Sequence, residues 1–340
     1  MVYVHVPFCG SFCTYCDFYS ELECGAGSFE SYVNELCGEI ESRRSEIRGT
    51  QSVNTLYVGG GTPSLLPLSC LERISSAVKS CVDGNFEEFT VEVNPEDIVT
   101  GGSDYVRGLM AAGVDRVSMG VQSLDDSILG WMNRRHTAAG ALEAFSILRD
   151  SGVGNVSVDV IFGISHLTDE MLESTLRKVT ELHPEHISAY QLSVEGGSAL
   201  ASMVADGRYR EASDEQCRRQ YGIICRRLRE AGYLHYEISN WALPGFEARH
   251  NSAYWDRVPY VGVGPAAHSL KIEDGLQTRS WNSAEPSGWK SSSEQLTDDE
   301  VREEEVMLGL RTLKGWNGRV LSEEEWFVSD DIISDILSRM

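Results

Sequence analysis

Short runs of β-branched and aromatic residues recur along the first part of the chain. Each is followed by a longer stretch whose apolar positions fall three and four residues apart. The runs Tyr3–Val6, Thr55–Val58, Phe89–Val93, Arg116–Gly120, Ser157–Phe162 and His186–Leu192 predict strands. The stretches Ser31–Arg43, Pro67–Lys79, Ser103–Ala112, Ala138–Ser151 and Asp169–Glu181 predict helices. Strands alternating with helices of this length imply βαβ crossovers and a parallel sheet. The fold class expected is therefore α/β, a partial (β/α)6 TIM-like barrel or curved open sheet, since eight units do not fit before about residue 200.

After Glu195-Gly196-Gly197 the rhythm breaks. Arg208–Ala231 reads as one long helix and His235–Ser239 as a short strand, followed by an aromatic, irregular stretch from Trp241 to Ser269. Lys271 to Asp299 is polar and reads as a loop or linker, and Glu300–Thr312 opens a helical element. The expected division is a barrel over 1–200, an extension over 201–270, and a linker with a C-terminal helical element over 271–340, the last a smaller α+β region that looks cut short.

Composition narrows the classes. At 340 residues and 41% apolar content the chain suits one large α/β domain with an appendage. With 29 basic against 52 acidic residues the net charge is −23, which supplies no basic face for nucleic acid and reads as a soluble, self-repelling surface. No signal peptide or bilayer-length apolar run can be drawn. Nine cysteines, an odd number, point to a reducing compartment and a cytoplasmic protein.

Chemistry collects at one end of the strands. Cys9, Cys13 and Cys16, spaced C-x3-C-x2-C, fall in a loop directly after the first strand and suit three corners of a [4Fe–4S] cube, leaving the fourth iron open. Zinc is the alternative, with His5 or Cys24 as fourth ligand, though no second C-x2-C knuckle is present. The second strand runs into Gly59-Gly60-Gly61-Thr62-Pro63, the third carries Glu92 and Asn94, and the fourth leads to Gly120-Val121-Gln122. The fifth holds Asp159 and the sixth ends at Tyr190 and Gln191. In parallel βα folds these strand ends share a face, and active sites are built there. Glu92 and Asp159 could be paired structural acids, but a carboxylate inside Val158-Asp159-Val160-Ile161-Phe162 is costly without a partner or ligand. Gln122 and Arg134 are equally readable as surface residues. Cys24, Cys37, Cys70, Cys81, Cys217 and Cys225 read as small core residues.

The cysteine loop, with Tyr15 before the last cysteine, and the glycine turn resemble those of radical S-adenosylmethionine (radical SAM) proteins. Tyr3-Val4-His5-Val6-Pro7-Phe8-Cys9, Gly59–Ser64, Glu92-Val93-Asn94-Pro95 and Ser118–Ser123 are similar to oxygen-independent coproporphyrinogen III oxidase and the HemW-type heme chaperones. The resemblance implies that Cys9, Cys13 and Cys16 hold the cluster and that Tyr3, Gly60 and Glu92 contact SAM. It assigns Gly61, Thr62, Gln122, Arg134 and Asp159 to a second SAM or another ligand of the same pocket.

Two departures separate the branches. The oxidase carries a further cysteine where this chain has Phe18, and a long extension before the cluster loop that this chain lacks. His250-Asn251-Ser252-Ala253-Tyr254-Trp255 matches the chaperone's H-N-x-x-Y-W signature, in which the histidine is implicated in holding heme. Imidazole is a common axial ligand and the two aromatics offer flat faces, although a loop histidine beside core aromatics would look the same. The chain also ends before the chaperones' C-terminal region usually does. The expectation is a radical SAM-type heme chaperone lacking coproporphyrinogen oxidase activity. The radical decarboxylase is the first alternative and a zinc-stabilised binding module the second. A heme acceptor at the respiratory membrane, a protein reductant for the cluster and a homodimer are the implied partners.

Overall fold

The computed structural model describes residues 1–22, 25–50 and 52–340; Cys24 therefore lies outside the described residues. Six parallel strands, β1 (Val2–Val6), β2 (Thr55–Gly60), β3 (Glu88–Val93), β4 (Arg116–Gln122), β5 (Val156–Phe162) and β6 (His186–Gln191), stand side by side in chain order. The helices α1 (Ala26–Ser42), α2 (Leu68–Lys79), α3 (Pro95–Ala111), α4 (Ala138–Asp150) and α5 (Asp169–Glu181) connect them. This is the expected partial (β/α)6 barrel. It is left open: β6 is followed in the sheet by an antiparallel hairpin of β7 (Leu234–Glu237) and β8 (Asn240–Ala242), and β9 (Val261–Val263) pairs parallel with β1 on the opposite edge.

Local chemistry fixes the element starts. Asn94, Thr137 and Thr168 each accept a backbone N–H of the first turn of α3, α4 and α5, and Pro95 occupies the first turn of α3 where its missing N–H costs nothing. Gly102, at φ 61°, kinks α3. On the strands, Val91, Val117, Met119, Val158 and Val160 turn outward and are buried against the helices. The alternating positions Tyr57, Glu92, Arg116, Ser118, Asp159 and Ser188 turn inward, because successive side chains point to opposite faces. The register sets Tyr3 beside Tyr57, Tyr57 beside Thr90, Thr90 beside Arg116, and Asp159 beside Ser188. The barrel interior is thus polar.

The later part of the chain departs from expectation. The long helix begins at Asp214 rather than Arg208, forming α6 (Asp214–Glu230) behind a Ser213 cap. The stretch read as irregular holds β8, β9 and the short helix α7 (Arg249–Trp255). The stretch read as a loop or linker, Lys271 to Asp299, is largely an antiparallel sheet of β10 (His268–Glu273), β11 (Leu276–Asn282) and β12 (Ser291–Gln295). Its strands are mostly solvent-facing, and β12 is exposed throughout, so no apolar alternation marks them. Three helices close the chain: α8 (Asp298–Leu310), α9 (Glu323–Trp326) and α10 (Ser329–Leu337).

Candidate functional site

A cavity of about 970 Å³ opens at the C-terminal ends of β1 to β6 and reaches down to Asn251 of α7. Cys9, Cys13 and Cys16 lie on its wall with Gly60, Gly61, Thr62, Glu92, Gln122, Arg134 and Asp159. The convergence expected from the strand ends is present. Thr62 Oγ1 donates to the Cys9 sulfur at 3.6 Å, and Arg134 donates to the Cys13 sulfur at 3.3 Å and to the Gly120 carbonyl at 2.6 Å. Burial pushes the Cys16 thiol up to about 11, and the neighbouring Cys13 and Cys9 push the same way. Burial also raises Tyr15, against the pull of Arg134. Three crowded thiols beside one guanidinium form a site that a cationic metal centre would relieve.

The glycine turn is packed tightly against the first strand. Gly61 N–H donates to the Val6 carbonyl and Thr62 N–H to the Phe8 carbonyl, both at 2.7 Å, tying the turn to the strand that leads into Cys9. A Cβ on Gly61 would meet the Phe8 oxygen at 2.6 Å, and one on Gly59 the Tyr57 ring at 2.7 Å. Gly60, at φ 110°, is also a position only glycine fills readily. These approaches are between protein segments, and Gly60 and Gly61 also line the cavity.

Glu92 accepts from the Tyr57 hydroxyl at 2.7 Å and from Gly60 N–H at 3.1 Å. Burial pushes its carboxyl up to about 7, with the Asp159 charge adding to the rise and its two hydrogen bonds opposing it. Burial raises Asp159 as well, held back by Ser188, Arg116 and Ser118, whose hydroxyl stands 3.4 Å from both carboxylate oxygens. Gln122 sits at a bulge in β4 with φ 64°, a left-handed conformation unusual for its type, and its buried Oε1 has no partner. Arg134 Nε and Arg116 Nε are likewise buried and unpartnered on the same cavity. Buried polar atoms left open around one space are what a polar, multiply charged ligand would satisfy. The donor set fits a cluster and SAM.

Two expected residues stand elsewhere. Tyr3 does not line the cavity. Its ring stacks on Tyr57 with centroids 6.1 Å apart and its hydroxyl is 3.1 Å from His5 Nδ1, so it backs the residue that holds Glu92. His250 is 1% exposed, at the N-terminal end of the strands. Its Nδ1 meets Thr55 Oγ1 at 2.8 Å and its Nε2 meets the Tyr254 hydroxyl at 3.1 Å. Burial, then the N-terminal amine and Arg116, lower it to about 3, so the ring is neutral. The Glu88 carboxylate accepts the backbone N–H groups of Arg249 and His250, pinning α7. Tyr57, Arg116, Ser118 and Ser188 were missed as site residues. The signal was available in the alternation Arg116-Val117-Ser118-Met119-Gly120-Val121-Gln122, polar or glycine at every second place.

Among the described residues no helix is long and apolar enough to cross a membrane. Residues 3–179 match the Radical SAM superfamily profile. The chain is 33% identical over 318 residues to the heme chaperone HemW of Lactococcus lactis, covering 92% of this chain and 82% of that one. It is 34% identical over 327 residues to HemW of Mycobacterium tuberculosis, with the same coverage. Its fold is similar to that of coproporphyrinogen III oxidase HemN from Escherichia coli, with TM-score 0.74 and 23% identity over 92% of this chain and 75% of that one. A radical SAM match over half the chain and a likeness to the chaperones over 92% of it lead to one assignment: the chain belongs to the radical SAM superfamily and, within it, to the HemW heme chaperone family.

Proposed function

We propose that this chain is a heme chaperone, taking up heme and passing it to an acceptor protein, with a [4Fe–4S] cluster and SAM in the cavity at the strand ends. The observation that carries the reading is its likeness, at 33–34% identity over most of its length, to proteins described as heme chaperones. Cys9, Cys13 and Cys16 would hold the cluster, and Gly60 and Glu92 would meet SAM at its open iron. Such a cluster, when bound with SAM, supplies one-electron chemistry at the sulfonium. Around it, Arg134 holds positive charge against the thiolates, and Glu92 offers a carboxylate that ionises near neutrality to receive an ammonium. Gly61, Thr62, Gln122, Arg134 and Asp159 line the same continuous space, where a second SAM or part of another ligand would sit. Phe18, 73% exposed at the cavity mouth, brings no sulfur where the oxidase has its extra cysteine.

Heme ligation by His250 would require the ring to leave Thr55 and Tyr254, so the binding-competent state is one in which α7 has lifted from the N-terminal ends of the strands. Apparent heme affinity is then reduced by the fraction of chains in that state. A respiratory membrane protein is the proposed acceptor, and a protein reductant would serve the cluster.

The test is anaerobic iron–sulfur reconstitution followed by paired assays. Hemin titration should give a Soret band, and coproporphyrinogen with SAM should give no protoporphyrinogen. Porphyrinogen turnover without hemin binding would replace this reading with the oxidase.

A further inference from the structure

Away from the cavity, three metal-ligating side chains from three elements meet where the hairpin edge of the sheet packs against the C-terminal helices. Cys225 of α6, His235 of β7 and Glu323 of α9 bring a sulfur, a ring nitrogen and a carboxylate oxygen within 4.8 Å of one another. The imidazole is fixed in orientation. It stacks on Trp241 at 3.9 Å between centroids and 12° between planes, and it stands edge-on to Trp326 at 4.5 Å.

Its two nitrogens face two acceptors. Nδ1 is 3.3 Å from Glu323 Oε1, and Nε2 is 3.4 Å from the Ile238 carbonyl oxygen. A neutral imidazole has one N–H, so in either tautomer one nitrogen aims its lone pair at an oxygen. An imidazolium would satisfy both. Yet this ring is 6% exposed between two indoles, and Arg229 already pairs with Glu323 beside it. A second positive charge there is expensive. The Tyr221 hydroxyl, one turn before Cys225, has no oxygen or nitrogen partner and faces the Cys225 sulfur. Sulfur, carboxylate oxygen and an open imidazole lone pair thus face one another.

We propose that Cys225, His235 and Glu323 form a zinc site that staples the C-terminal helices to the edge of the sheet. Nε2–H would donate to the Ile238 carbonyl, the kind of contact that orients ligating histidines, leaving the Nδ1 lone pair for the metal. Cys225 would release its thiol proton to solvent on binding, so that thiolate and carboxylate meet the dication, and the charge left on Arg229 lies on a side chain that is 65% exposed to solvent. Arg229 keeps the other oxygen of Glu323. Ligand atoms on one tetrahedral zinc stand about 3.3–3.8 Å apart, so the trio closes with about 1 Å of side-chain movement. Water or the Tyr221 hydroxyl would take the fourth position. Nitrogen, sulfur and oxygen donors together favour zinc over magnesium or calcium.

The test uses the full chain with Cys9→Ser, Cys13→Ser and Cys16→Ser, which empties the cluster loop of thiols. Cobalt(II) is the spectroscopic probe. One equivalent should give the visible d–d band of four-coordinate, thiolate-bound cobalt, and zinc should displace it and raise the melting temperature. Cys225→Ser, a near-isosteric change, should abolish the sulfur-to-cobalt transition, and Glu323→Gln should weaken cobalt binding by about tenfold or more. Absence of a band in the folded triple-serine chain, or a band unchanged by Cys225→Ser, overturns the proposal.

Discussion

The Tyr57 hydroxyl donates across 2.7 Å to Glu92 Oε1, while Glu92 Oε2 takes the Gly60 N–H. One carboxylate thereby links the interior of β2, the glycine turn and the ligand space. Because burial holds its carboxyl at about 7, ligand recognition there should be pH-sensitive in the neutral range. SAM affinity, measured calorimetrically on reconstituted protein, should rise as pH increases from about 6 to about 8, as the carboxylate forms to meet the ammonium. Glu92→Gln should bind SAM weakly with that pH dependence gone.

The same carboxyl affects stability in the opposite sense. Between its ordinary 4.5 and about 7 the folded chain keeps a proton that the unfolded chain has released, so its contribution to stability falls as pH rises through that window. In ligand-free protein Glu92→Gln should therefore gain on the parent between about pH 5 and pH 8, by up to about 3 kcal/mol. Denaturant titrations at the two pH values measure it. A constant difference would mean that Glu92 is not held protonated.

Arg134 sets the charge beside the cluster loop. Arg134→Gln removes a cation 3.3 Å from the Cys13 sulfur. The reconstituted cluster should become harder to reduce, its midpoint falling on the order of tens of millivolts, because net charge and hydrogen bonds to sulfur set such potentials. Redox titration followed by EPR reports it, with iron and sulfide content as the control for assembly.

His250 and Thr55 test how heme is admitted. If the ring must leave Thr55 Oγ1, Thr55→Val should raise hemin affinity by about fivefold, the worth of one hydrogen bond of about 1 kcal/mol, while His250→Ala abolishes the Soret shift. A Soret band unchanged in folded His250→Ala would leave His250 as a purely internal anchor of α7.

Gly61→Ala places a methyl 2.6 Å from the Phe8 oxygen and should cost about 2–4 kcal/mol, with loss of cluster because Phe8 leads directly into Cys9. Gly38→Ala is the matched control. It sits in α1 with nothing within 4 Å, and should stabilise by about 0.5–1 kcal/mol.

Legibility followed exposure. The six parallel strands were readable because each is buried on its outer face, so Val-rich alternation survives in sequence. The sheet of β10 to β12 was not, because strands such as Ser291–Gln295 face water and carry no apolar code. Val261–Val263 escaped by brevity. At the site, motif spacing located Cys9, Glu92 and Gln122 on one face, but it could not say which way Tyr3 points or that His250 is spent on Thr55 and Tyr254. Those facts depend on packing between segments far apart in the chain. The partners of Cys225 were hidden for the same reason, since His235 and Glu323 approach it only in three dimensions.

The pairing of Val261–Val263 with Val2–Val4 joins the earliest strand to one that leaves the ribosome about 260 residues later. Until then the segment leading into Cys9 has Thr55–Gly60 on one flank and nothing on the other, and closing so long a loop is slow. Loading of iron and sulfide thus belongs after Val261–Val263 has emerged and paired, and nascent chains arrested before Val261 should accept them poorly.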